Sequence, residues 1–540
     1  MLVRLLFLVL YVVSSSGRPE KGKDGKLLHP GLTPGRSATP RVNTMEHTAE
    51  HWRNHAKETI LKKINSKLNE NVAKNVIMFL GDGLSIPTLA ATRVYHGGEE
   101  VELSFETLPY AGLSKTYCVD AQTADSACTA TAYLAGVKNN IDMIGVTAAV
   151  KKDDCDAMLV EENRVESIAK WSLDVGKRTG IVTTSTVTDA SPAGAYAKIA
   201  NRSWQTDAAV EASGANATKC RDITYQLVKW APGKDFNVIL GGGTRNFLNN
   251  DTTDEFGGRG SRTDGLNLVD EWIKDRAAEN RTAKYVWNRN GLLNLKNDTD
   301  FVLGLFGNDN MPYNLERDAS LVPSLEEMTE VAINIGSRGN GAENGYFLFV
   351  EGGRIDHGHH EGWARKAFDE TIEFSKAVQK ALDMTSEEDT LIVVTADHSH
   401  TMSLSGYPVR GNEILGVGGI DDFGEARLTI NYANGPALVN HTHDYGSDDT
   451  IDKDYRFPAV TQLYSETHGA DDVGIFASGP WAHLFTGVLE QSTIPHMMAY
   501  ASCVGDGLKM PACSWGVPNV AALSWMLLSL VLFLHLRFRM

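Results

Sequence analysis

The sequence has no excess of basic residues. Its 540 residues include 51 Lys and Arg against 68 Asp and Glu, which gives a formal net charge of −17. Because a nucleic-acid backbone is held mainly through clustered Lys and Arg, this balance argues against a nucleic-acid-binding protein. It does not exclude small phosphorylated substrates, since bound divalent cations can reverse the sign of the electric field inside a site.

The N-terminal apolar run is too short to span a bilayer. Residues 1–17 contain one early cation, Arg4, then apolar residues from 5 to 13, and then small residues up to Gly17. This pattern is typical of a signal peptide, and a buried N-terminal strand is the alternative. We also find no internal repeat.

The C-terminus is apolar to about residue 536 and closes on Arg537 and Arg539. Two anchors fit this pattern: a GPI-attachment signal, or a transmembrane helix with cytoplasmic arginines. The run is short for a spanning helix, which favours GPI. Cleavage at 505–507 would remove Cys513, and cleavage at Ser514 leaves a short spacer. We predict an anchor signal over residues 514–540 and a location on the extracellular face of the cell membrane.

Cysteines are few and even in number. Six cysteines suit the oxidising secretory pathway. The same compartment allows glycosylation at Asn-X-Ser/Thr sequons. Apart from one at Asn201, the candidate sites are Asn216, Asn250, Asn280, Asn297 and Asn440.

Residues 18–45 are rich in Pro, Gly and Lys, which predicts a flexible leader or propeptide. The pattern becomes helical over residues 47–68, where Trp52, Ile60 and Ile64 recur at near-helical spacing. We expect an N-terminal docking helix here. The remaining chain, residues 46–513, is predicted to form one catalytic domain.

Short unbroken apolar runs predict buried strands. They occupy residues 76–80, 180–184, 237–240, 346–350, 391–396 and 473–477. Helical patterns, such as residues 324–335 and 363–384, lie between them. This alternation predicts an α/β fold of three layers, α/β/α, around a large, mainly parallel sheet. Residues 406–464 are rich in Gly and Asp and predict a small irregular surface insertion.

Three of these strands run into an acid. They are followed by Asp82, Glu351 and Asp397, and the first two acids are flanked by glycine. A single acid of this kind has an ordinary alternative as a helix N-cap. Ligands of open α/β sheets bind at the carboxyl ends of the strands, so the three acids are expected to meet in one pocket.

Histidines accompany these acids. If the segment Asp356-His357-Gly358-His359-His360 is helical, Asp356 and His360 share one face, a spacing that suits zinc. A merely exposed or structural histidine cluster is the alternative. His398 at a strand end and His468 provide two further imidazoles.

The segment DSACTATAY provides a candidate nucleophile, Ser126, before a strongly helical stretch. A helix N-terminus favours bound anions through its free amides and its dipole. Alternatively, Ser126 is only the N-cap of that helix.

At this point the motifs resemble those of animal alkaline phosphatases: Asp82, DSACTATAY, VEGGRIDHGHH at residues 350–360, TADHSH and ETHG. The likeness extends from about residue 75 to Cys513. It implies hydrolysis of phosphate monoesters at alkaline pH through a phosphoserine at Ser126. It also implies small phosphorylated substrates and a homodimer.

The resemblance also implies a ligand set. One zinc is held by Asp356, His360 and His468. A second zinc is held by Asp82, Asp397 and His398, and a magnesium by Asp82, Ser191 and Glu351. Arg202 aligns with the arginine that grips phosphate, so a glycan on neighbouring Asn201 would crowd the site.

Several positions depart from the mammalian pattern. Asp189 stands where mammalian members have His, near His357, and is expected to tighten magnesium binding and slow product release. Gly307 and Val322 replace carboxylates of a fourth-metal region, so the resemblance gives no support for a calcium site there.

The resemblance pairs Cys155 with Cys220 and Cys503 with Cys513. Cys118 and Cys128 are left over on either side of Ser126. They bridge each other, or Cys128 is a small buried residue; the spacing does not decide between these alternatives.

Two other functions compete with this interpretation. Sulfatases of the same superfamily carry a C/S-x-P-x-R motif, which we do not find, and the related diesterases typically use Thr and lack DHGHH. A catalytically silent cell-surface receptor on the same scaffold would have lost a ligand, yet every ligand named above is present.

Overall fold

The computed structural model describes residues 44–516, with side chains to Cys513. The predicted signal peptide, residues 18–43 of the leader and residues 517–540 of the anchor signal lie outside the described residues. Within the described part, no helix is both long and apolar enough to cross a membrane.

A ten-stranded sheet forms the centre of the molecule, in the order β17-β2-β16-β8-β1-β7-β3-β4-β6-β5. Its strands are β1 Asn75–Gly81, β2 Tyr110–Lys115, β3 Arg178–Thr186, β4 Val238–Gly242, β5 Ala283–Val286, β6 Phe301–Leu305, β7 Tyr346–Gly352, β8 Thr390–Ala396, β16 Val473–Ser478 and β17 Gly487–Glu490. All neighbours are parallel except β16, which is antiparallel to both β2 and β8.

Both faces of the sheet are covered. Along β1, Val76 and Met78 pack into the apolar core on one face, whereas Ile77 and Phe79 pack into the core on the other. This explains the unbroken apolar runs, because strands buried on both faces have no side open to water. The predicted three-layer α/β fold with a mainly parallel sheet is confirmed.

Fifteen α-helices accompany the sheet within the described residues. They are α1 Ala49–Ile64, α2 Ile86–His96, α3 Ser126–Ala135, α4 Ile168–Asp174, α5 Ala190–Ala193, α6 Asp207–Ala212, α7 Ile223–Lys229, α8 Thr244–Phe247, α9 Leu268–Ala278, α10 Arg289–Leu293, α11 Leu325–Gly336, α12 Gly341–Asn344, α13 Arg354–His360, α14 Ala364–Met384 and α15 Ile494–Ser502. The predicted helices correspond to α1, α11 and α14. Ser324 caps α11 in a capping box with Glu327.

The predicted strands correspond to β1, β3, β4, β7, β8 and β16. Four strands of the sheet had no counterpart in the prediction. Of these, β2, β5 and β17 are short and partly exposed, and β6 is interrupted by Gly304, so none of them shows a long apolar run.

The segment 406–464 is more regular than expected. It contains β11 Val417–Ile420, β12 Ala426–Leu428, β13 Ile430–Gly435 and β14 Ala459–Gln462. β11 pairs with β12, and β13 lies between β14 and β10 Met402–Leu404 in a second small sheet. Ile430 and Tyr432 are buried in the core beneath it. A further short pair joins β9 Ser399–His400 to β15 His468–Gly469.

All six cysteines form disulfides: Cys155–Cys220, Cys503–Cys513 and Cys118–Cys128. The first two pairings are those that the resemblance implied. The third resolves the open alternative, since Cys128 is both bridged and buried.

Candidate metal-binding active site

The three strand-end acids lie on neighbouring strands, since β8, β1 and β7 are adjacent. Asp82 and Asp397 directly follow β1 and β8, and Glu351 is the penultimate residue of β7. Gly83 makes the close approach possible: its φ is +69°, and its N–H donates to Asp397 Oδ1 at 2.9 Å. The parallel strands therefore deliver these acids to one edge of the sheet.

Two of these carboxylate oxygens are buried without a hydrogen-bond partner among the described residues. They are Asp82 Oδ1 and Glu351 Oε1. Burial raises the pKa of Asp82 well above its ordinary value, and the nearby carboxylates raise it further. Burial likewise raises the pKa of Glu351 to about 8. Buried carboxylates are stable only when paired or metal-bound, so these orphaned oxygens fit cations at this place.

Asp356 and two histidines converge on one point. His360 Nε2 and His468 Nε2 lie 3.3 and 3.4 Å from Asp356 Oδ1 and 3.1 Å from each other. The Nδ1 atoms face backbone carbonyls, His360 that of Glu466 at 2.5 Å and His468 that of Ala124 at 2.7 Å. A proton on each Nδ1 leaves each Nε2 lone pair directed at the centre, as metal ligation requires.

A second group consists of Asp82, Asp397 and His398, whose ligand atoms all lie within 4.8 Å of one another. His398 Nε2 is 3.0 Å from Asp397 Oδ2 and 3.5 Å from Asp82 Oδ1. The other oxygen of Asp82, Oδ2, lies 3.5 Å from Ser191 Oγ. Asp82 thus faces two sites at once.

Two residues of this site had no role in the sequence prediction, His400 and Glu466. His400 Nε2 is 2.8 Å from Asp356 Oδ1, and its Nδ1 is 2.5 Å from Glu466 Oε2. Both residues belong to segments that the resemblance quotes, TADHSH and ETHG. Their contact joins positions 66 residues apart and depends on the pairing of β9 with β15, so it leaves no local signal.

Ser126 is the first residue of α3, and Asp125 is its N-cap, with Oδ1 accepting the Cys128 N–H at 3.1 Å. The alternative in which Ser126 serves only as an N-cap is therefore wrong. Ser126 Oγ is buried and lies 3.2 Å from His398 Nε2. The helix N-terminus and the Asp82 group meet at this hydroxyl.

Arg202 lies across from the serine and is held by two carboxylates. Its two terminal nitrogens are each 3.2 Å from an acid, one from Asp125 Oδ2 and the other from Asp189 Oδ1. Asp189 also caps α5, and its Oδ2 is 3.9 Å from His357 Nε2. Asp189 and His357 therefore lie beside the candidate ligands, and their effect on metal binding stays a prediction.

The predicted glycosylation sites are all exposed: Asn216, Asn250, Asn280, Asn297 and Asn440. Asn201 is buried, and its amide donates to Asp153 Oδ1 at 2.7 Å. Occupancy of the exposed sites stays a prediction.

In the fourth-metal region, Arg317 donates to the Val322 carbonyl at 2.9 Å, and Arg245 pairs with Asp309 at 2.9 Å. Neither contact places a carboxylate at Gly307 or Val322. The lack of support for a calcium site stays a prediction.

The fold and this cluster define an α/β protein with buried groups of carboxylates and imidazoles that could hold metal ions. The family profile described as alkaline phosphatase matches residues 73–504. The chain therefore belongs to the alkaline phosphatase family. This confirms the enzyme class predicted from the sequence, a phosphoric monoester hydrolase.

The sequence is similar to those of curated relatives over most of their length. The chain is 48% identical over 475 residues to a membrane-bound alkaline phosphatase of Bombyx mori, covering 86% of each chain. It is 43% identical over 477 residues to the tissue-nonspecific alkaline phosphatase of Homo sapiens, covering 85% of this chain and 89% of the human one.

Solved structures show the same fold at lower identity. The alkaline phosphatase of Thermus thermophilus superposes with a TM-score of 0.57 at 20% identity, covering 83% of this chain and 94% of the other. The enzyme of the Antarctic bacterium TAB5 gives a TM-score of 0.53 at 21% identity.

Proposed function

We propose that this chain hydrolyses phosphate monoesters at alkaline pH through a covalent phosphoserine at Ser126. The observation that carries the proposal is the position of Ser126 Oγ. It is buried at the N-terminus of α3, 3.2 Å from His398 Nε2. A nucleophile, an anion-binding helix end and a candidate metal group meet there.

The donor sets fit two zinc ions and one magnesium ion. Asp356, His360 and His468 would hold one zinc, and Asp82, Asp397 and His398 the other, because zinc takes imidazole nitrogen and carboxylate oxygen. Asp82, Ser191 and Glu351 offer oxygen only, which suits magnesium. When bound, such ions lower the pKa of a serine hydroxyl or of water and stabilise charge on a leaving oxygen.

Arg202 would bind the substrate phosphate. Its guanidinium presents two parallel N–H donors to two phosphoryl oxygens, a geometry that lysine does not reproduce. Asp125 and Asp189 hold the guanidinium in place from two sides. The guanidinium is therefore oriented before the substrate binds.

The chemistry then proceeds in two displacements. Ser126 Oγ attacks phosphorus and loses its proton, the bond from phosphorus to the substrate oxygen breaks, and the alcohol departs with a proton. Water then attacks the phosphoserine, releasing inorganic phosphate and restoring the Ser126 hydroxyl. The free amides at the start of α3 favour the anion in both steps.

Ser126→Ala tests this assignment. We expect hydrolysis of an aryl phosphate to fall by a factor of about 10⁴ or more, because no covalent intermediate can form. Acid-quenched wild-type enzyme should carry phosphate on the peptide containing residue 126, measured by mass spectrometry. Ser203→Ala, at an exposed serine next to Arg202 in the chain, is the control. Near-normal turnover of Ser126→Ala would contradict the assignment.

Chelation separates the enzyme from the alternative of a silent receptor. We expect a strong chelator to abolish hydrolysis and added zinc and magnesium to restore it, because the orphaned carboxylates need cations. A correctly metallated but inactive protein would favour the receptor.

We further propose that a GPI anchor holds the mature enzyme on the extracellular face of the membrane, as a homodimer. The apolar C-terminus and the membrane-bound silkworm relative support the anchor. Mass spectrometry of the mature C-terminus tests it: a glycolipid near Ser514 is expected, and retention of residues 520–540 would contradict it.

A further inference from the structure

A ten-residue loop without helix or strand, residues 116–125, leads from β2 into α3. Hydrogen bonds of its main chain include those from Cys118 N–H to the Ala121 carbonyl at 3.1 Å and from Val119 N–H to the Asn139 carbonyl at 2.9 Å. The Cys118–Cys128 disulfide closes the loop onto α3. Both sulfurs are buried in a small cluster with Ala124, against which Ala121 packs.

The end of this loop supplies three consecutive contacts to the site. The Ala124 carbonyl faces His468 Nδ1 at 2.7 Å, Asp125 Oδ2 accepts from Arg202 at 3.2 Å, and Ser126 is the nucleophile proposed above. All three residues lie inside the ring that the disulfide closes. Neither cysteine is one of the proposed metal ligands, so metal binding does not explain this bridge.

Asp125 connects the bridge to Arg202. Its Oδ1 accepts the N–H of Cys128, the bridged residue itself, at 3.1 Å, and its Oδ2 receives the Arg202 guanidinium. Cys128 lies on α3, whose ten residues are all buried, so one end of the bridge is fixed. A closed ring restricts the positions that the loop and Asp125 can adopt.

We propose that the Cys118–Cys128 disulfide positions Arg202 for phosphate binding, acting through Asp125. The inference rests on the proposed role of Arg202 in binding phosphate. The two cysteines are positioning residues, since neither touches the reacting atoms. The bridge orients the guanidinium before the substrate binds. Phosphate binding therefore costs less conformational entropy.

The chain offers a matched control. Cys503 and Cys513 also form a bridge of sequence separation 10, just after α15. The two bridges constrain the unfolded chain equally, because the loops they close are the same length. C118A/C128A and C503A/C513A should therefore lose similar chain-entropy stabilisation, measured by thermal unfolding, and differ only in local effects.

Inhibition by inorganic phosphate is the main measurement, with metal content determined in parallel. We expect C118A/C128A to raise the inhibition constant about tenfold at unchanged metal content, as for partial loss of a charged hydrogen bond. C503A/C513A should stay within about twofold of wild type. Equal inhibition constants in the two variants would overturn the inference.

A double-mutant cycle identifies the route. If the bridge acts through Arg202, C118A/C128A in an Arg202→Ala background should weaken phosphate inhibition no further. An additive effect would show that the bridge acts elsewhere, for example through His468, and would overturn the route.

A second variant covers the case in which C118A/C128A does not fold. Asp125→Asn keeps the α3 cap acceptor and removes the charge that faces Arg202, with the bridge intact. It should weaken phosphate inhibition, and unchanged inhibition would overturn the inference. Failure of the proposed function is distinguishable, because wild-type enzyme would then hydrolyse no aryl phosphate.

Discussion

The histidines of the site are tuned in opposite directions by their neighbours. The rings of His398 and His468 are stacked, with their centroids 3.5 Å apart. Burial and the charge of His398 lower the pKa of His468 to about 4. Burial opposes protonation of His400 too, but the carboxylates of Glu466 and Asp356 outweigh it and raise the pKa of His400 to about 10. His468 therefore keeps a free lone pair, whereas protonation of His400 is favoured. Burial opposes ionisation of Asp356, but the charge and hydrogen bond of His360, followed by the hydrogen bond of His400, lower the pKa of Asp356 well below its ordinary value.

At the residue scale, we predict that Asp189→His weakens magnesium binding and speeds product release. Asp189 pairs with Arg202 and lies beside Ser191, a proposed magnesium ligand. Without this negative charge, residue 189 would no longer attract the magnesium ion or pair with Arg202, which is proposed to bind phosphate. The magnesium concentration for half-maximal activity should rise about tenfold. The turnover number should increase, measured by steady-state kinetics with magnesium titrated.

Asp189→Asn is the control for this prediction. It keeps the oxygen that accepts the Ala190 N–H at the start of α5 and removes only the charge. The two variants should behave alike if charge is responsible. An effect of Asp189→His without one of Asp189→Asn would point to the helix cap instead.

At the scale of elements, His359 connects three parts of the fold. It lies on α13 between the proposed ligands Asp356 and His360. Its Nε2 is 2.9 Å from Thr88 Oγ1 on α2, and its Nδ1 is 2.8 Å from the Tyr432 hydroxyl on β13. Burial lowers the pKa of His359 well below its ordinary value, so the ring is neutral. The insertion is thereby joined to the helix that carries the metal ligands.

We predict that Tyr432→Phe loosens this helix. The substitution leaves His359 Nδ1 buried without a partner, which costs about 1–3 kcal/mol of unfolding free energy. A chelator should remove the metal several-fold faster, measured from the activity that remains after timed exposure to the chelator. Tyr455→Phe is the matched control, since that hydroxyl bonds Asp448 within the same insertion. Equal rates of metal loss in both variants would contradict the prediction.

The strands of the sheet show how much of the fold can be predicted from the local sequence pattern. β3 and β8 are buried along their whole length, and both are readable from their apolar runs. The direction of β16 is not readable, because a buried strand has the same composition in parallel and antiparallel pairing. The edge strand β17 has half-exposed residues and no such run. Its place depends on pairing with β2, which lies far away in sequence.

At the scale of the whole molecule, α1 has no buried residue. Its apolar side chains include Trp52, Leu61 and Ile64, the last 71% exposed. Exposed apolar faces of this kind mark protein contacts. They support the proposed homodimer, with α1 as an arm that contacts the second copy.

We predict that Leu61→Glu combined with Ile64→Glu dissociates the dimer. Two carboxylates on the contact face would have to lose their hydration there. The mass measured by light scattering should halve, while the fold, followed by circular dichroism, should not change. Lys57→Glu alters the charge of the same helix at another exposed position and should leave the mass unchanged. A wild-type protein that is already monomeric would refute the proposed dimer.

The sequence by itself determined the fold class and the enzyme class, and it predicted the candidate site residues apart from His400 and Glu466. Unbroken apolar runs require strands covered on both faces, and parallel strands bring their terminal acids to one edge. Tertiary structure alone decided which residue caps α3, how Cys118 and Cys128 pair, and that His400 holds Asp356. These outcomes depend on contacts between residues brought together by folding, and such contacts leave no periodic signal in the chain.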